Sequence, residues 1–239
     1  GTHSSSLPGV LMNTELSIIV PIYNEEVTLA TVMQALEKSC PAAQMIYVDD
    51  GSSDHSMNIL KEHARPTDLV LQGAHGGKGS AIRLGLTRAI GEYTVIQDAD
   101  LEYTPEEIER LLTEAKTHPG CAVFGSRFFH GKTPHIYWTF LMGNKVLTGF
   151  LNLLFGSQLS DSYTCYKLLP TAVFQSLHLT SKGFELEAEI AAKCLKKAIE
   201  VREVPISYHP RSIEEGKKIN GRDAVKGFSM MLRVRFSRR

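Results

Sequence analysis

The sequence predicts an α/β domain on a mostly parallel central sheet with helices on both faces, and three observations lead there. Short apolar, β-branched runs alternate with stretches of helical periodicity through the first half of the chain. Such apolar strands beside amphipathic helices imply a sheet covered on both sides. Polar and acidic clusters follow the runs, at the edge where open α/β sheets bind ligands.

Leu16-Ser-Ile-Ile-Val-Pro-Ile22 is the first strand, followed by a helical pattern over residues 25–39. Met45-Ile-Tyr-Val48 is the second strand and ends in Asp49-Asp50-Gly51-Ser52; Ser53 or Asp54 then caps a helix through Ala64. Leu69-Val-Leu71 is a third strand, and residues 80–90 a third helix. Tyr93-Thr-Val-Ile96 is a fourth strand, running into Gln97-Asp98-Ala99-Asp100. Thr104-Pro105-Glu106-Glu107 reads as a helix start, with a cap, Pro at the first position and acids in the first turn. Ala122-Val-Phe124 gives one more strand. The second half is less regular. Residues 135–155 form an apolar helix whose Asn144, Lys145 and Asn152 make it a poor membrane span, leaving a core helix or an interfacial one. Residues 183–197 read as a helix, 199–208 as a strand and 223–235 as a basic amphipathic helix.

At 239 residues, with 43% apolar and 22% charged residues, the chain has the size and composition of one globular domain. Residues 1–11 hold neither a basic nor an apolar leader region and read as an expression remnant; residues 12–239 read as a single domain ending in the basic helix. The four cysteines are scattered, with no zinc spacing, as in a protein of a reducing compartment. The zero net charge hides an asymmetry. From Lys193 onward 13 Lys and Arg face 5 acids, whereas the rest carries 13 against 21. A basic tail on an acidic body suits an anionic partner such as phosphate or a membrane surface, or a solvated helix end.

Asp98-Ala99-Asp100 after a buried strand carries the sharpest chemistry. Two carboxylates there can hold a hard divalent cation, with Glu102 as a further oxygen donor, although a turn with two Asp is a common loop feature. At the neighbouring strand end Asp50 can accept a hydrogen bond from a nucleobase or ribose while its neighbours cap the next helix. Gly76-Gly77-Lys78-Gly79 fails the phosphate-loop pattern, because Gln72 stands where a Gly is required and Gly79 where Ser or Thr is. It reads as a close-packed loop opening a helix, with Lys78 near a phosphate or solvated.

Val20-Pro21-Ile22-Tyr23-Asn24-Glu25-Glu26, Val48-Asp49-Asp50-Gly51-Ser52-Ser53-Asp54, Gly77-Lys78-Gly79, Asp98-Ala99-Asp100 and Gly125-Ser126-Arg127-Phe128 stand in the order seen in family 2 glycosyltransferases. Within them the chain most resembles the dolichyl-phosphate mannose/glucose synthase-like group, over residues 16–227. The resemblance implies a GT-A type nucleotide-diphospho-sugar transferase fold and inverting transfer from a UDP- or GDP-linked sugar. It implies that Pro21, Tyr23, Glu25, Val48 and Asp50 hold the nucleoside, with Lys78 beside the phosphates. Asp98, Ala99, Asp100 and Glu102 would form the pyrophosphate site with Mg2+ or Mn2+; the group often has Gln where Glu102 stands. Arg127 would lie near the donor or acceptor phosphate. Pro205-Ile-Ser-Tyr-His-Pro-Arg211 with Glu214-Glu-Gly-Lys-Lys218 resembles the loop that covers the pyrophosphate, Arg211 being its Arg and Lys217 or Lys218 its Lys.

Asp100, Arg127, Arg211 and Lys218 are then the candidates that stabilise a departing nucleoside diphosphate. The resemblance and the basic C-terminal half point to a polyprenyl-phosphate acceptor at the cytoplasmic face of a membrane, and nothing points to nucleic acid. Two readings compete: transfer to a sugar hydroxyl, and a silent nucleotide-sugar-binding or membrane-docking module. A hydroxyl acceptor needs a general base, for which Asp161, Glu185 and Glu187 are candidates without an assigned role.

Overall fold

The computed structural model describes residues 14–128, 138–210 and 221–237. Its seven strands are β1 (Leu16–Ile22), β2 (Gln44–Asp49), β3 (Leu69–Gln72), β4 (Tyr93–Ile96), β5 (Ala122–Ser126), β6 (Lys167–Pro170) and β7 (Val201–Pro205). They form one sheet in the order β3-β2-β1-β4-β6-β5-β7. Only β6 runs against its neighbours, antiparallel to both β4 and β5. The expected mostly parallel sheet is therefore present, with one reversed strand the sequence reading did not contain. β6 hides because it is Lys-Leu-Leu-Pro: four residues, opened by a lysine and closed by a proline.

Every residue of β1 is buried, so both faces of that strand are covered. The helices are α1 (Leu29–Ser39), α2 (Ser56–His63), α3 (Lys78–Leu86), α4 (Ile108–Thr117), α5 (Trp138–Phe155), α6 (Thr171–Ser176), α7 (Leu186–Lys196) and α8 (Gly221–Phe236). α3 packs on β1 and β2 and touches α6, while α1 touches α2 and the turn that opens α4. α5, α7 and α8 pack against one another beyond the sheet.

Helix starts differ from expectation in detail. α1 opens at Leu29, four residues after Glu25. α2 opens at Ser56, where Asp54 Oδ1 accepts the Ser56 N–H at 2.9 Å; Ser53 instead donates its N–H to Asn24. Thr104 makes no capping bond, and Pro105–Glu107 is a 3-10 turn ahead of α4. α3 begins two residues early, at Lys78, because Gly77 takes φ of 87° and lets the chain turn directly into the helix. Gly79 is required there as well: a Cβ would run into the Ser181 carbonyl, next to the Lys182 carbonyl that accepts the Gly79 N–H.

Candidate active site

The strand order β2-β1-β4 places three expected clusters side by side at the carboxyl edge. Ile22 pairs with Asp49 in register, Asp50 donates its N–H to the Ile22 carbonyl, and Gln97 donates to that of Ile19. Tyr23 and Asp50 thus leave β1 and β2 at one level, while Asp98 leaves β4 level with Pro21. Pro21 and Val48 are Cα partners one step back and are buried, whereas Tyr23 is exposed and Glu25 half-buried. Glu25 is held by its backbone N–H on Ser56 Oγ and its Oε2 near Thr28 Oγ1. Thr28 also donates to the Ala99 carbonyl, which ties the start of α1 to the acidic turn.

Asp50 does not point an idle carboxylate outward. Its two oxygens accept the Gly76 and Gly77 N–H groups at 3.0 and 2.7 Å. It therefore shapes the loop that delivers Lys78, and the Tyr23 and His75 rings meet over that loop with centroids 4.9 Å apart. The orphan in this corner is Asp49, buried with Oδ1 unpartnered and Oδ2 on the Ser52 N–H.

Lys78 reaches into the centre. Its ammonium contacts both Asp98 oxygens, at 2.8 and 3.0 Å, and Glu187 Oε1 at 3.1 Å. Glu187 turns its other oxygen to the ammonium of buried Lys167, 2.8 Å away. Burial disfavours the charge on Lys78, but Asp98 and Glu187 outweigh it and hold its pKa well above the ordinary value. Burial likewise pushes the Cys165 thiol well up. Sequence reasoning named Lys78 and Asp98 but not the Glu187–Lys167 pair behind them. The available signal was the acid at the start of α7, but an acid in a first turn is usually a dipole partner in water.

The acidic turn is tight. Leu101 stands at φ of 61°, a left-handed conformation that a branched apolar residue adopts only under tertiary constraint. Asp100 Oδ1 accepts the Glu102 N–H at 3.1 Å, and Glu102 accepts the Tyr208 hydroxyl at 3.2 Å. Among the described residues no three His, Cys, Asp or Glu side chains converge into a ready-made cation cage. Magnesium does not need one, since it takes one or two carboxylates and completes its shell with water and phosphate oxygens. Asp100 and Glu102 are the hard oxygen donors of the right chemistry, while Asp98 shares its oxygens with Lys78.

Arg127 follows β5, and its guanidinium meets Asp161 in a two-pronged pair, Nε to Oδ2 at 2.7 Å and Nη2 to Oδ1 at 2.8 Å. Burial opposes that charge, Asp161 outweighs burial, and the pKa stays well above its ordinary value. The Tyr208 ring lies 5.1 Å from the guanidinium carbon, so Tyr208 links Arg127 to Glu102. Of the base candidates, Asp161 is committed to Arg127 and Glu187 to two lysines. Glu185 Oε1 faces the Lys182 and Gly183 N–H groups, and its Oε2 is buried without a partner. Arg211, Lys217 and Lys218 lie outside the described residues.

Residues 17–177 match the model of Glycosyl transferase family 2. The chain belongs to that family. The low-salt glycan biosynthesis hexosyltransferase Agl6 of Haloferax volcanii is 28% identical over 206 residues, 83% of this chain and 49% of that one. The polyprenol monophosphomannose synthase of Mycolicibacterium smegmatis is 26% identical over 211 residues, 84% of this chain and 79% of its own length. This family 2 chain thus spans about half the length of the hexosyltransferase. Among solved structures, glucosyl-3-phosphoglycerate synthase of Mycobacterium tuberculosis with Mg2+ and uridine diphosphate superposes with a TM-score of 0.71 at 17% identity. That superposition covers 92% of this chain and 79% of the synthase. Such a likeness bears on the fold, and the fold is GT-A.

Proposed function

We propose that this chain is an inverting glycosyltransferase that moves a sugar from a UDP- or GDP-linked donor to a polyprenyl phosphate. One observation carries the reading: in a family 2 chain, Lys78, the turn of Asp98, Asp100 and Glu102, and Arg127 stand together where β4 and β5 end. The nucleoside would lie by Tyr23, Glu25 and Asp50, with Pro21, Val48 and Ala99 as the buried frame behind them. Charge grows on the departing diphosphate, and Lys78, Arg127 and the loop residues Arg211 with Lys217 or Lys218 would stabilise it. Mg2+ or Mn2+, held by Asp100 and Glu102 together with Asp98, would supply further neutralisation of the pyrophosphate.

The acceptor follows from the state of the carboxylates. A sugar hydroxyl must lose a proton as it attacks; Asp161 and Glu187 are both bound to cations, and Glu185 turns one oxygen to backbone N–H groups and keeps the other buried. A phosphate acceptor arrives as an anion and needs no base, which favours the lipid phosphate. The names of the relatives include a polyprenol phosphate sugar synthase, which supports the same acceptor class. The proposed place of work is the cytoplasmic face of a membrane; among the described residues no helix is long and apolar enough to cross one.

The test is release of nucleoside diphosphate from a panel of nucleotide-sugars, with and without Mn2+ or Mg2+ and a short polyprenyl phosphate. Release is expected to require both additions and to vanish in Asp100→Ala. Donor binding with no lipid-dependent release would overturn the acceptor assignment, and full activity in Asp100→Ala the role of the acidic turn.

A further inference from the structure

Four charged side chains stand in a row behind the acidic turn, and their signs alternate. Lys167 of β6 is fully buried, with its ammonium on the Thr164 carbonyl and on Glu187 Oε2, the latter at 2.8 Å. Glu187 of α7 turns Oε1 to the Lys78 ammonium at 3.1 Å, and that ammonium also meets both Asp98 oxygens at 2.8 and 3.0 Å. The row runs outward: the side chains of Lys167 and Glu187 are 0 and 4% exposed, those of Asp98 and Lys78 20 and 28%. Two cations and two anions cancel, so the row as a whole carries no net charge.

Asp98 is the end where two demands meet. It belongs to the turn proposed to hold a divalent cation, and such a cation needs an oxygen lone pair directed at it. Lys78 already engages both oxygens, and an ammonium and a divalent cation on one carboxylate repel strongly. As a cation takes Asp98, the ammonium has to swing off it. The backbone does not move with it, because Gly76 and Gly77 are bound to Asp50 and Gly79 to the Lys182 carbonyl. The flexible stem of the lysine supplies the swing instead.

Glu187 makes that swing possible. Among the described residues the anionic partners of Lys78 are Asp98 and Glu187. With Asp98 alone, release would strand the ammonium in a mostly buried place without a counter-ion. With Glu187 Oε1 in contact, the ammonium keeps one through the exchange. Lys167 serves the next step. When Lys78 turns to an incoming phosphate, Glu187 keeps a cation on Oε2 and is not left as a lone buried anion.

We propose that Glu187, backed by Lys167, is a positioning residue that retains the Lys78 ammonium when a divalent cation takes Asp98 and keeps it beside the donor's diphosphate. The cation and the diphosphate then bind with positive coupling, since each draws Lys78 and Asp98 apart and so favours the other. For the cation and the diphosphate this rests on the transferase reading; for the ammonium it rests on the four side chains and their contacts.

The test is Mn2+ binding, read as free ion by electron paramagnetic resonance, without nucleotide and with UDP or GDP. Wild type is compared with Lys167→Met/Glu187→Gln, with Lys78→Met and with the variant that combines all three, circular dichroism confirming that each folds. Removing Lys167 and Glu187 together strands no charge and keeps the net charge beside the turn, so a changed affinity reports the ammonium and not the local field. Wild type is expected to bind Mn2+ about tenfold or more tightly with nucleotide than without it. The paired variant should bind Mn2+ alone about tenfold more weakly, since its Lys78 has no second anion to move to. Lys78→Met should bind Mn2+ alone more tightly than wild type, and in that background the paired change should have no further effect. A paired variant that binds Mn2+ as wild type does makes the pair a fold element only and overturns the proposal. A loss of the same size in the background of Lys78→Met overturns it too. So does Lys78→Met with no gain, a result that decides even where the paired variant does not fold, and so does wild-type Mn2+ affinity that nucleotide leaves unchanged. The expected Mn2+ behaviour with no sugar transfer from any donor would sink the transferase reading and leave the role of Glu187 standing. No Mn2+ binding at all would sink the metal assignment and this proposal together.

Discussion

Replacing Asp161 by Asn tests whether the Arg127 guanidinium is held by charge or by shape. Asp161 is fully buried, both its oxygens bind the guanidinium, and Oδ2 also accepts the Arg127 N–H at 3.2 Å. Asn keeps the volume and one acceptor but removes the negative charge. The guanidinium does not deprotonate, so its charge remains buried with its main counter-ion gone. Removing one member of a buried pair costs about 3–5 kcal/mol, and the retained acceptor argues for the low end, about 3 kcal/mol. For a chain of this size each kcal/mol moves Tm by about 2–4 °C, so a fall of roughly 6–12 °C is expected.

The assay is thermal unfolding followed by circular dichroism for Asp161→Asn, Arg127→Met, and the double variant Arg127→Met/Asp161→Leu. Both single variants should fall. The double variant should recover most of the loss, since an apolar pair of similar volume is often as stable as the buried ion pair it replaces. It should also lack transferase activity, which separates the fold role of the pair from the site role of Arg127. A fall below about 2 °C in Asp161→Asn, less than one kcal/mol on the same scale, would refute the reasoning. A double variant as unstable as the two single losses added together would refute it equally.

Four further outcomes are expected. Gly79→Ala should lower Tm by several degrees and weaken donor binding in calorimetry, because its Cβ meets the Ser181 backbone. Lys78→Met removes the ammonium shared by Asp98 and Glu187, and donor affinity should fall about tenfold or more, with Lys78→Arg a poor substitute for a compact point charge. Asn144→Leu should raise the urea midpoint without changing the slope, because both amide atoms of Asn144 are buried without partners, a penalty of about 1–3 kcal/mol. Arg211→Ala should lower kcat more than donor affinity, since the contact proposed for it would strengthen as charge develops; an effect confined to donor affinity would make it a ground-state binding residue.

Most of the sheet was legible because its strands are apolar and end in polar residues that cannot continue inward. Leu16–Ile22 and Tyr93–Ile96 were read at the observed bounds. β6 and the short α6 after it were not, since neither has a period long enough to read, and β6 exists only because β4 and β5 both leave it an edge. Helix starts slipped by a few residues wherever tertiary contacts outweighed the local cap, as at Gly77 and Thr104.

At the site, the residues proposed to meet the ligand stood out in the sequence and their supports did not, for a physical reason. Ligand groups of open α/β sheets sit beyond strand ends, so Asp50, Asp98, Asp100 and Arg127, which follow β2, β4 and β5, carry a positional signature. A supporting ion partner need only reach the right point in space, and chain distance places no limit on that. Asp161 lies 34 residues from Arg127, and Glu187 lies 109 from Lys78. Both were visible as carboxylates, and both invited a catalytic role because acids beside a nucleotide site are expected to move protons. Geometry reverses that expectation: both oxygens of each carboxylate are already engaged by cationic groups. The same pairing makes Asp161 and Glu187 the counter-ions of three cations, Arg127, Lys78 and Lys167, and it favours a chemistry at this edge of cationic groups and hard oxygen donors.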